Sequence, residues 1–180
     1  KLTQAITLVP GDDLLNVDLK TEEEETRVLF VTQGGMTLSY DVNEISLQGK
    51  KAQGVRGITL KEKDQIAFGA FVKDEGEVIV GTRNGYFKRV IIPTLSMGGR
   101  GQVGLKLVPL EQTINGKVVK DELVYLDTVR EPFDILLITT RKVGKINTED
   151  IKVLTRLVPG EQLSKFKIEG IVPVLTDRID

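Results

Sequence analysis

The stretch EVIVGTRNGYFKRVIIPTLSMGGRGQVGLKLV, residues 77–108, decides the fold class of this chain. It predicts a strand, a tight turn at Asn84-Gly85, a returning strand and the glycine-rich basic loop Gly98–Gly101. Asn-Gly between apolar runs is the strongest short-range hairpin signal, because a type I′ turn needs positive φ at both central residues. Apolar residues alternate on both sides of this turn, which favours strands over helices.

The same strand-and-turn motif recurs along the rest of the chain. Equivalent leucines are predicted at Leu8, Leu60, Leu107 and Leu157, so the repeat is about fifty residues long. Glycine, proline and Asn/Asp clusters divide each period into four short apolar runs, and no helical stripe is sustained. A period of this length is typical of propeller-like arrays with four strands to a blade.

We therefore expect an all-β fold of about four blade-like, four-stranded antiparallel sheets. Joining the two ends of the chain in one blade would bury an open sheet edge, with Leu163–Ile168 as its first strand, whereas an open crescent is the alternative. The expected parts are one domain over residues 1–180, repeats at about 10–60, 61–108 and 109–158, and terminal segments 1–9 and 159–180 in a partial or shared blade.

Composition excludes several classes of function. The 180 residues contain no cysteine and no histidine, so disulfides, thiolate metal sites and the commonest general base are absent. We expect no catalytic residue, no metal site and no cofactor. No apolar run of about 18 residues suggests a membrane span. The chain begins with Lys1 rather than Met, from which we expect a piece of a longer protein.

Charge is segregated although the net charge is only −1. Positive residues flank the glycine loops and the hairpin, and such clustering can give a nearly neutral protein a basic edge. The alternative is that strand-edge Lys and Arg only discourage edge-to-edge aggregation. The positive residues are Lys50, Lys51 and Arg56, then Arg100 and Lys106, and on the hairpin Arg83, Lys88 and Arg89. Carboxylates gather elsewhere, around residues 22–25, 74–77 and 121–127.

Four phrases carry a resemblance to a known family: VTQGGM at 31–36, AQGVRGI at 52–58, GTRNGYFKR at 81–89 and GRGQVGL at 99–105. They resemble the repeat of the C-terminal domain of the A subunit of bacterial type IIA topoisomerases, DNA gyrase and topoisomerase IV. The resemblance covers essentially the whole chain.

The resemblance implies a β-pinwheel, a propeller-like disc with a positively charged rim that binds and bends duplex DNA. Complete family domains have about five or six blades. The family's DNA-cleaving tyrosine lies in a different domain, so Tyr40, Tyr86 and Tyr125 are not expected to be nucleophiles. The implied partners are double-stranded DNA, the remaining domains of the A subunit and the ATPase subunit of the holoenzyme. The implied location is the cytoplasm, without membrane contact.

The gyrase members of this family carry a seven-residue loop, Gln-Arg-Arg-Gly-Gly-Lys-Gly. The nearest stretch here is Gln48–Gly54, in which Lys51 and Ala52 stand where the two glycines belong. Degenerate loops resemble topoisomerase IV more than gyrase, although a gyrase fragment without the blade bearing the strict loop is an open alternative. Repeat three is expected to contribute least, because Glu149 and Asp150 are predicted in place of its glycines and would repel phosphate.

DNA affinity arises mainly from Lys and Arg that neutralise phosphates, and glycine loops let backbone N–H groups approach a phosphate. The alternative function is a propeller-type protein-interaction module without DNA binding. The predicted DNA-binding residues are Lys50, Lys51, Arg56, Arg83, Lys88, Arg89, Arg100 and Lys106.

Overall fold

The structure is a computed structural model that describes residues 2–20 and 23–174. Within these residues it contains strands and three short 3-10 turns but no α-helix, which confirms the all-β class. The 3-10 turns are Val42–Glu44, Ile92–Thr94 and Thr148–Asp150. The strands are β1 (Arg27–Thr32), β2 (Met36–Asp41), β3 (Ile66–Val72), β4 (Glu77–Thr82), β5 (Tyr86–Ile91), β6 (Leu105–Lys106), β7 (Glu111–Ile114), β8 (Lys117–Lys120), β9 (Leu123–Val129), β10 (Asp134–Thr139), β11 (Val143–Asn147), β12 (Glu161–Gln162) and β13 (Ile168–Val174).

The strands of the described residues form four antiparallel sheets, the number expected from the repeat length. Sheet one has the order β3-β1-β2-β6, and sheet two has the order β9-β4-β5-β12. Sheet three has three strands in the order β13-β10-β11. The fourth sheet is the separate hairpin β7–β8, so it is not a four-stranded blade.

Strand exchange between neighbouring repeats is the main feature that the repeat pattern did not reveal. The first strand of each predicted later repeat, β3 or β9, pairs with the hairpin of the preceding repeat. The last short strand of repeat two, β6, likewise crosses back to β2 of repeat one. Sheets one, two and three are therefore completed by chain from later in the sequence, and the sequence repeats do not coincide with the sheets.

The hairpin turns follow the glycine pattern but not the predicted turn type. At Arg83-Asn84-Gly85 the loop has three residues, and only Gly85 has a positive φ, 83°. This arrangement is the three-residue loop that ends in a left-handed glycine, so the type I′ prediction for Asn84-Gly85 is wrong. A two-residue turn with two positive φ values occurs instead at Asn115-Gly116, between β7 and β8.

The expected joining of the two chain ends does not occur in the described residues. Residues 2–20 contain no strand, and β13 pairs with β10 in sheet three. The strand predicted at Leu163–Ile168 is also wrong, because β13 begins at Ile168. Lys1 and residues 175–180 of the predicted terminal segments lie outside the described residues, and the single-domain extent of 1–180 stays a prediction.

Side chains replace strand pairing where the N-terminal segment meets sheet one. The Asn16 side-chain amide donates to the carbonyl of Gly69 at 3.3 Å, and the backbone N–H of Phe71 donates to the Asp18 carboxylate at 2.9 Å. These bonds satisfy part of the open edge of β3 without a backbone ladder. The N-terminal segment is thereby attached to sheet one rather than to sheet three.

The pairing register corrects the predicted repeat equivalences. In β6 Lys106 is opposite Met36, and in β12 Gln162 is opposite Tyr86. The N–H of Leu107 donates to the carbonyl of the turn glycine Gly35 at 2.8 Å. The N–H of Leu163 donates in the same way to the carbonyl of the turn glycine Gly85 at 2.9 Å. Leu163 is therefore equivalent to Leu107. The prediction that Leu157 is equivalent to Leu107 is wrong. Leu157-Val158-Pro159 has the same residue types as Leu107-Val108-Pro109 but a different position in the fold.

Apolar side chains between the sheets form the core. One cluster joins sheets one and two and includes Leu29, Val78 and Leu107, and a second joins sheets two and three around Phe87 and Ile135. Fully burying an aliphatic or aromatic side chain contributes about 1.5–3 kcal/mol, so each inter-sheet cluster is a major source of stability. A third cluster lies around Tyr40, Leu38 and Ile58.

Candidate nucleic-acid interface

Three loops leave the second strands of their hairpins, and we name them by their residues: loop 1 is 46–57, loop 2 is 96–104 and loop 3 is 152–160. Loops 2 and 3 begin alike, because Met97 bridges to Ser39 on β2 and Val153 bridges to Arg89 on β5. They also end alike, at the strands β6 and β12 described above. Loops 2 and 3 therefore begin and end at equivalent positions, although Gly101 in the middle of loop 2 has a positive φ and its counterpart Leu157 does not.

Loops 1 and 2 are joined by backbone hydrogen bonds. The N–H of Gly101 donates to the carbonyl of Gly57 at 2.9 Å, and the N–H of Thr59 donates to the carbonyl of Gln102 at 3.0 Å. The Thr59 hydroxyl also donates to the carbonyl of Gly101 at 2.6 Å. Glycine permits the backbone conformation that these bonds use, since Gly101 has a φ of 83°.

Arg100 reinforces the contact between these two loops. Its Nη1 donates to the carbonyl of Arg56 at 2.8 Å, and its Nε donates to the carbonyl of Glu44 at 2.9 Å. Its backbone N–H donates to the Glu44 carboxylate at 2.8 Å. Because a guanidinium has five N–H donors, these bonds fix Arg100 in place and use only part of its hydrogen-bonding capacity.

Loop 3 instead meets β6 and Leu107, the segment that follows loop 2, through side chains. Arg156 of loop 3 donates from Nη1 to the carbonyl of Lys106 at 3.2 Å. The Lys88 ammonium donates to the carbonyl of Leu107 at 2.8 Å and also to carbonyls of loop 3. Loop 1 therefore lies against loop 2, and loop 3 lies against the segment that follows loop 2.

The structure corrects the prediction for repeat three. Glu149 and Asp150 lie in the 3-10 turn Thr148–Asp150 and do not occupy the place of the glycine loop. The equivalent of Arg100 in loop 3 is Arg156, which the sequence prediction missed. The spacing Arg-x-x-x-Gly could have revealed Arg156. It occurs in loop 2 as Arg100 and Gly104 and in loop 3 as Arg156 and Gly160.

Most of the predicted DNA-binding residues in the loops are exposed. Lys50, Lys51, Arg56 and Arg100 are exposed on loops 1 and 2, and Lys106 is exposed on β6. The contacts described above bring Arg100 to Arg56 and Arg156 to Lys106. We call this set, together with Arg156, the basic edge.

Lys88 is not available to DNA, which corrects its prediction as a contact. Its relative exposure is 0%, and its Nζ is surrounded by backbone carbonyls. Burial, together with the nearby positive charge of Arg156, lowers the pKa of Lys88 to about 8. The opposite face of β5 is covered as well, because the adjacent Phe87 is also completely buried.

Arg89 and Arg83 are largely occupied by structural bonds. The side chain of Arg89 is 15% exposed and pairs with Glu77 at 2.7 Å. It also donates from Nε to the carbonyl of Ile151 at 2.7 Å. Arg83 donates to the carbonyl of Ile168 at 2.8 Å and pairs with Glu122 at 3.4 Å. Both arginines therefore connect sheet two to later chain segments, and they are weaker candidates for phosphate contact than the basic edge.

Two further lysines lie beside Lys106. Lys61, Lys63 and Lys106 line a shallow cleft next to the turn between β1 and β2. Lys63 has a φ of 63°, an uncommon conformation for a residue other than glycine, asparagine or aspartate. No glycine stands directly beside Lys61 or Lys63 in the sequence, so a search guided by glycine loops could not find them.

No other chemistry emerges from the described residues. In that part of the chain no group of three or more Asp and Glu residues is arranged to hold a metal ion. No helix there is long and apolar enough to cross a membrane.

Comparison with known proteins identifies the family. A family model for the DNA gyrase C-terminal domain, described as a β-propeller, matches residues 26–73 and 76–129, more than half of the chain. The chain belongs to this family. As expected for an accessory domain, the matched gyrase region is C-terminal. Loops 1 and 2 fall within the matched residues, and loop 3 lies after them.

Curated relatives carry the names of both topoisomerases. The chain is 28% identical over 179 residues to the DNA gyrase A subunit of Chlamydia muridarum, covering 98% of this chain and 20% of that protein. It is 31% identical over 121 residues to the DNA gyrase A subunit of Escherichia coli, covering 66% of this chain and 14% of that protein. It is 32% identical over 115 residues to the A subunit of DNA topoisomerase 4 from Staphylococcus epidermidis, covering 61% and 14%. The chain thus spans about a fifth or less of the length of these relatives.

Solved structures share the fold. The TM-score is 0.77 with the C-terminal domain of DNA topoisomerase IV, at 22% identity, covering 94% of this chain and 52% of that one. It is 0.72 with the DNA gyrase A C-terminal domain, at 21% identity, covering 95% and 57%. These similarities confirm the propeller-like fold of a gyrase C-terminal domain. Since both parent enzymes appear among the matches, the preference for topoisomerase IV stays a prediction.

Proposed function

We propose that this chain is a non-catalytic domain that binds and bends duplex DNA for a type IIA topoisomerase A subunit. The basic edge would contact successive phosphates and so position a DNA segment for strand passage. In this proposal the partners are double-stranded DNA, the remaining domains of the A subunit and the ATPase subunit, in the cytoplasm.

The observation that supports the proposal is the series of contacts that links the three loops. Loop 1 bonds to loop 2 through glycine backbone, and loop 3 is held through Arg156 and Lys88 to Lys106 and Leu107, the segment that follows loop 2. Exposed positive side chains are thereby held in sequence on fixed backbone rather than scattered. Cations held in this way can neutralise several phosphates of one duplex and release their counterions.

The test is the salt dependence of duplex binding by a charge-removal variant. Lys50→Gln combined with Lys51→Gln removes two exposed charges from loop 1 while keeping polar side chains there. Binding of a random-sequence duplex should weaken, and the slope of log K against log salt should flatten by up to about two, roughly 0.9 per lost phosphate contact. Fluorescence transfer between the duplex ends, measured on the same complexes, reports whether the DNA is bent.

The matched control removes the same charge from the hairpin β7–β8. Lys117→Gln combined with Lys120→Gln changes two exposed lysines that lie outside the three loops. This control should keep the wild-type slope. Equal slopes for wild type and the loop 1 variant, both folded, would remove loop 1 from the interface. Absence of any duplex binding by the wild type would favour the protein-interaction module.

A further inference from the structure

Lys88 is a buried cation without an acidic partner among its described contacts. Its Nζ donates to the carbonyls of Leu107 at 2.8 Å, Thr155 at 3.1 Å, Arg156 at 3.2 Å and Val158 at 2.8 Å. Burying an ammonium ion is costly unless its hydrogen bonds are satisfied, and here backbone carbonyls satisfy them. One acceptor follows β6, and the other three belong to loop 3.

The equivalent position in sheet one contains an apolar residue. Leu38 on β2 corresponds to Lys88 on β5, because Leu38 faces Phe30 on β1 as Lys88 faces Val80 on β4. Sheet one does not need a lysine there, since loops 1 and 2 are joined through Gly101 and Gly57. Leu157 stands in loop 3 where loop 2 has Gly101. A side chain must therefore make the junction that glycine backbone makes between loops 1 and 2.

We infer that Lys88 is a positioning residue that replaces the missing glycine junction and holds loop 3 against Leu107, directly after β6. It joins carbonyls of both segments at one nitrogen, beside the bond from Arg156 to the carbonyl of Lys106. Lys88 thereby sets the relative position of Lys106 and Arg156. A residue that no ligand can reach would thus control the part of the basic edge that β6 and loop 3 form together.

The consequence for DNA binding rests on the proposed function, whereas the junction itself does not. If Lys106 and Arg156 contact phosphate as a pair, removing the Lys88 ammonium should remove both contacts. The charged side chains on the two segments packed against Lys88 are Lys106, Lys152, Arg156 and Glu161, and Lys152 pairs with Glu161 at 2.8 Å.

The junction is tested by Lys88→Met in the full chain, which keeps the length of the side chain but removes the ammonium. Amide hydrogen exchange of Leu154, which donates to the carbonyl of Arg89 at 2.9 Å, reports on loop 3. Its exchange should accelerate about tenfold or more, because buried carbonyls lose their donor. Leu38→Met at the equivalent position is the matched control and should leave the amide of Thr59, at the junction of loops 1 and 2, protected.

The DNA consequence is tested by combining variants. Lys106→Gln with Arg156→Gln should lower the salt slope by about two, at roughly 0.9 per contact, and Lys88→Met alone should lower it by a similar amount. Adding Lys88→Met to that pair should lower it no further, since the same contacts are already lost. A further loss of the same size would overturn the positioning role, because Lys88 would then act independently of the pair.

A measurement on the wild type covers the case in which Lys88→Met does not fold. The ammonium protons of Lys88 should give an NMR signal protected from solvent exchange, with couplings across hydrogen bonds to loop 3 carbonyls. A rapidly exchanging ammonium, or unchanged exchange of Leu154 in a folded Lys88→Met protein, would overturn the inference. If the wild type binds no duplex, the proposed function fails, while the exchange comparison still decides the junction.

Discussion

Single glycines determine whether a later segment can approach the preceding sheet. Gly104 has a φ of 83°, and a Cβ there would collide with the backbone carbonyl of Thr37 on β2. Gly101 has the same φ of 83°, but a Cβ at that position would meet no atom within 4 Å. The two positions therefore separate backbone strain from steric exclusion.

Alanine substitution at these two glycines should give different losses of stability. Gly101→Ala should cost about 1–2 kcal/mol from the left-handed backbone alone. Gly104→Ala adds a collision with a carbonyl that is fixed in sheet one, so its loss should exceed about 3 kcal/mol. Urea unfolding of the two variants and the wild type gives the comparison. Equal losses would mean that β6 does not lie against β2 as described.

The buried ammonium of Lys88 predicts an unusual pH dependence of stability. Its pKa falls from 10.5 to about 8 on folding, mainly through desolvation. Between these two values the unfolded chain binds more protons than the folded chain, so the free energy of unfolding rises with pH. Stability is therefore lowest below pH 8 and should increase by up to about 2 kcal/mol between pH 8 and 9.5, at about 1.4 kcal/mol per pH unit.

Chemical unfolding at several pH values measures this dependence. Lys88→Met should flatten the rise, and Lys117→Gln, which removes an exposed lysine, should leave it unchanged. Burial also raises the pKa of Tyr40 and of Tyr125, which opposes the rise only as the pH approaches 10. Stability that falls steadily from pH 8 to 9.5 would contradict a lowered pKa of Lys88.

Residue types and their local spacing predicted the exposed part of the basic edge but not the buried part. Lys50, Lys51 and Arg100 stand beside glycines in loops, and such positions face solvent in most folds. Lys88 and Arg89 are adjacent in sequence to a turn, yet sheet pairing and exchanged segments cover them. Their burial depends on chain that arrives about seventy residues later, as in the bond from Lys88 to Val158. The sequence around Lys88 does not indicate that this later segment will cover it.

At the scale of elements, the exchanged strand β6 anchors two sheets. Leu107, directly after β6, is completely buried in the cluster between sheets one and two, whereas Leu105 on β6 itself is exposed. Leu107→Ala should therefore cost about 2–5 kcal/mol, the usual loss for a buried leucine. Leu105→Ala makes the same chemical change on the same segment and should cost less than about 1 kcal/mol. Thermal or urea unfolding distinguishes them, and a small loss for both would contradict the anchoring role.

The elements themselves were largely predictable, and their partners were not. The hairpins β1–β2 and β4–β5 follow from alternating apolar residues around turn glycines, which are local features. By contrast, β3 belongs to repeat two but pairs with β1 of repeat one. Nothing in the residues of β3 indicates which strand it will pair with. Comparison of the repeats also misplaced loop 3. Leu157-Val158-Pro159 has the same sequence as Leu107-Val108-Pro109 but lies at a different position in the fold.

At the scale of the whole molecule, the three larger sheets each depend on strands from later in the chain. Sheet one requires β3 and β6, and sheet two requires β9 and β12. This interdependence also places the loops next to one another, because each returning segment crosses to the preceding hairpin. The same exchange that builds the sheets therefore builds the basic edge, and the fold and the proposed interface have one origin.

The basic edge predicts how strongly the domain would discriminate between duplexes of different sequence. Its loop lysines and arginines can reach phosphates, but the described residues contain no helix that could enter a major groove and read base edges. Unrelated duplexes of equal length should therefore bind with affinities within about tenfold of one another at fixed salt, and all should weaken steeply as salt increases. Sequence-specific proteins prefer their sites by about 10³-fold or more. Competition titrations with several random duplexes decide between these behaviours, and a preference of that size would contradict a phosphate-based edge. Because the net charge is −1, the affinity should also be lower than that of a strongly basic relative of the same fold.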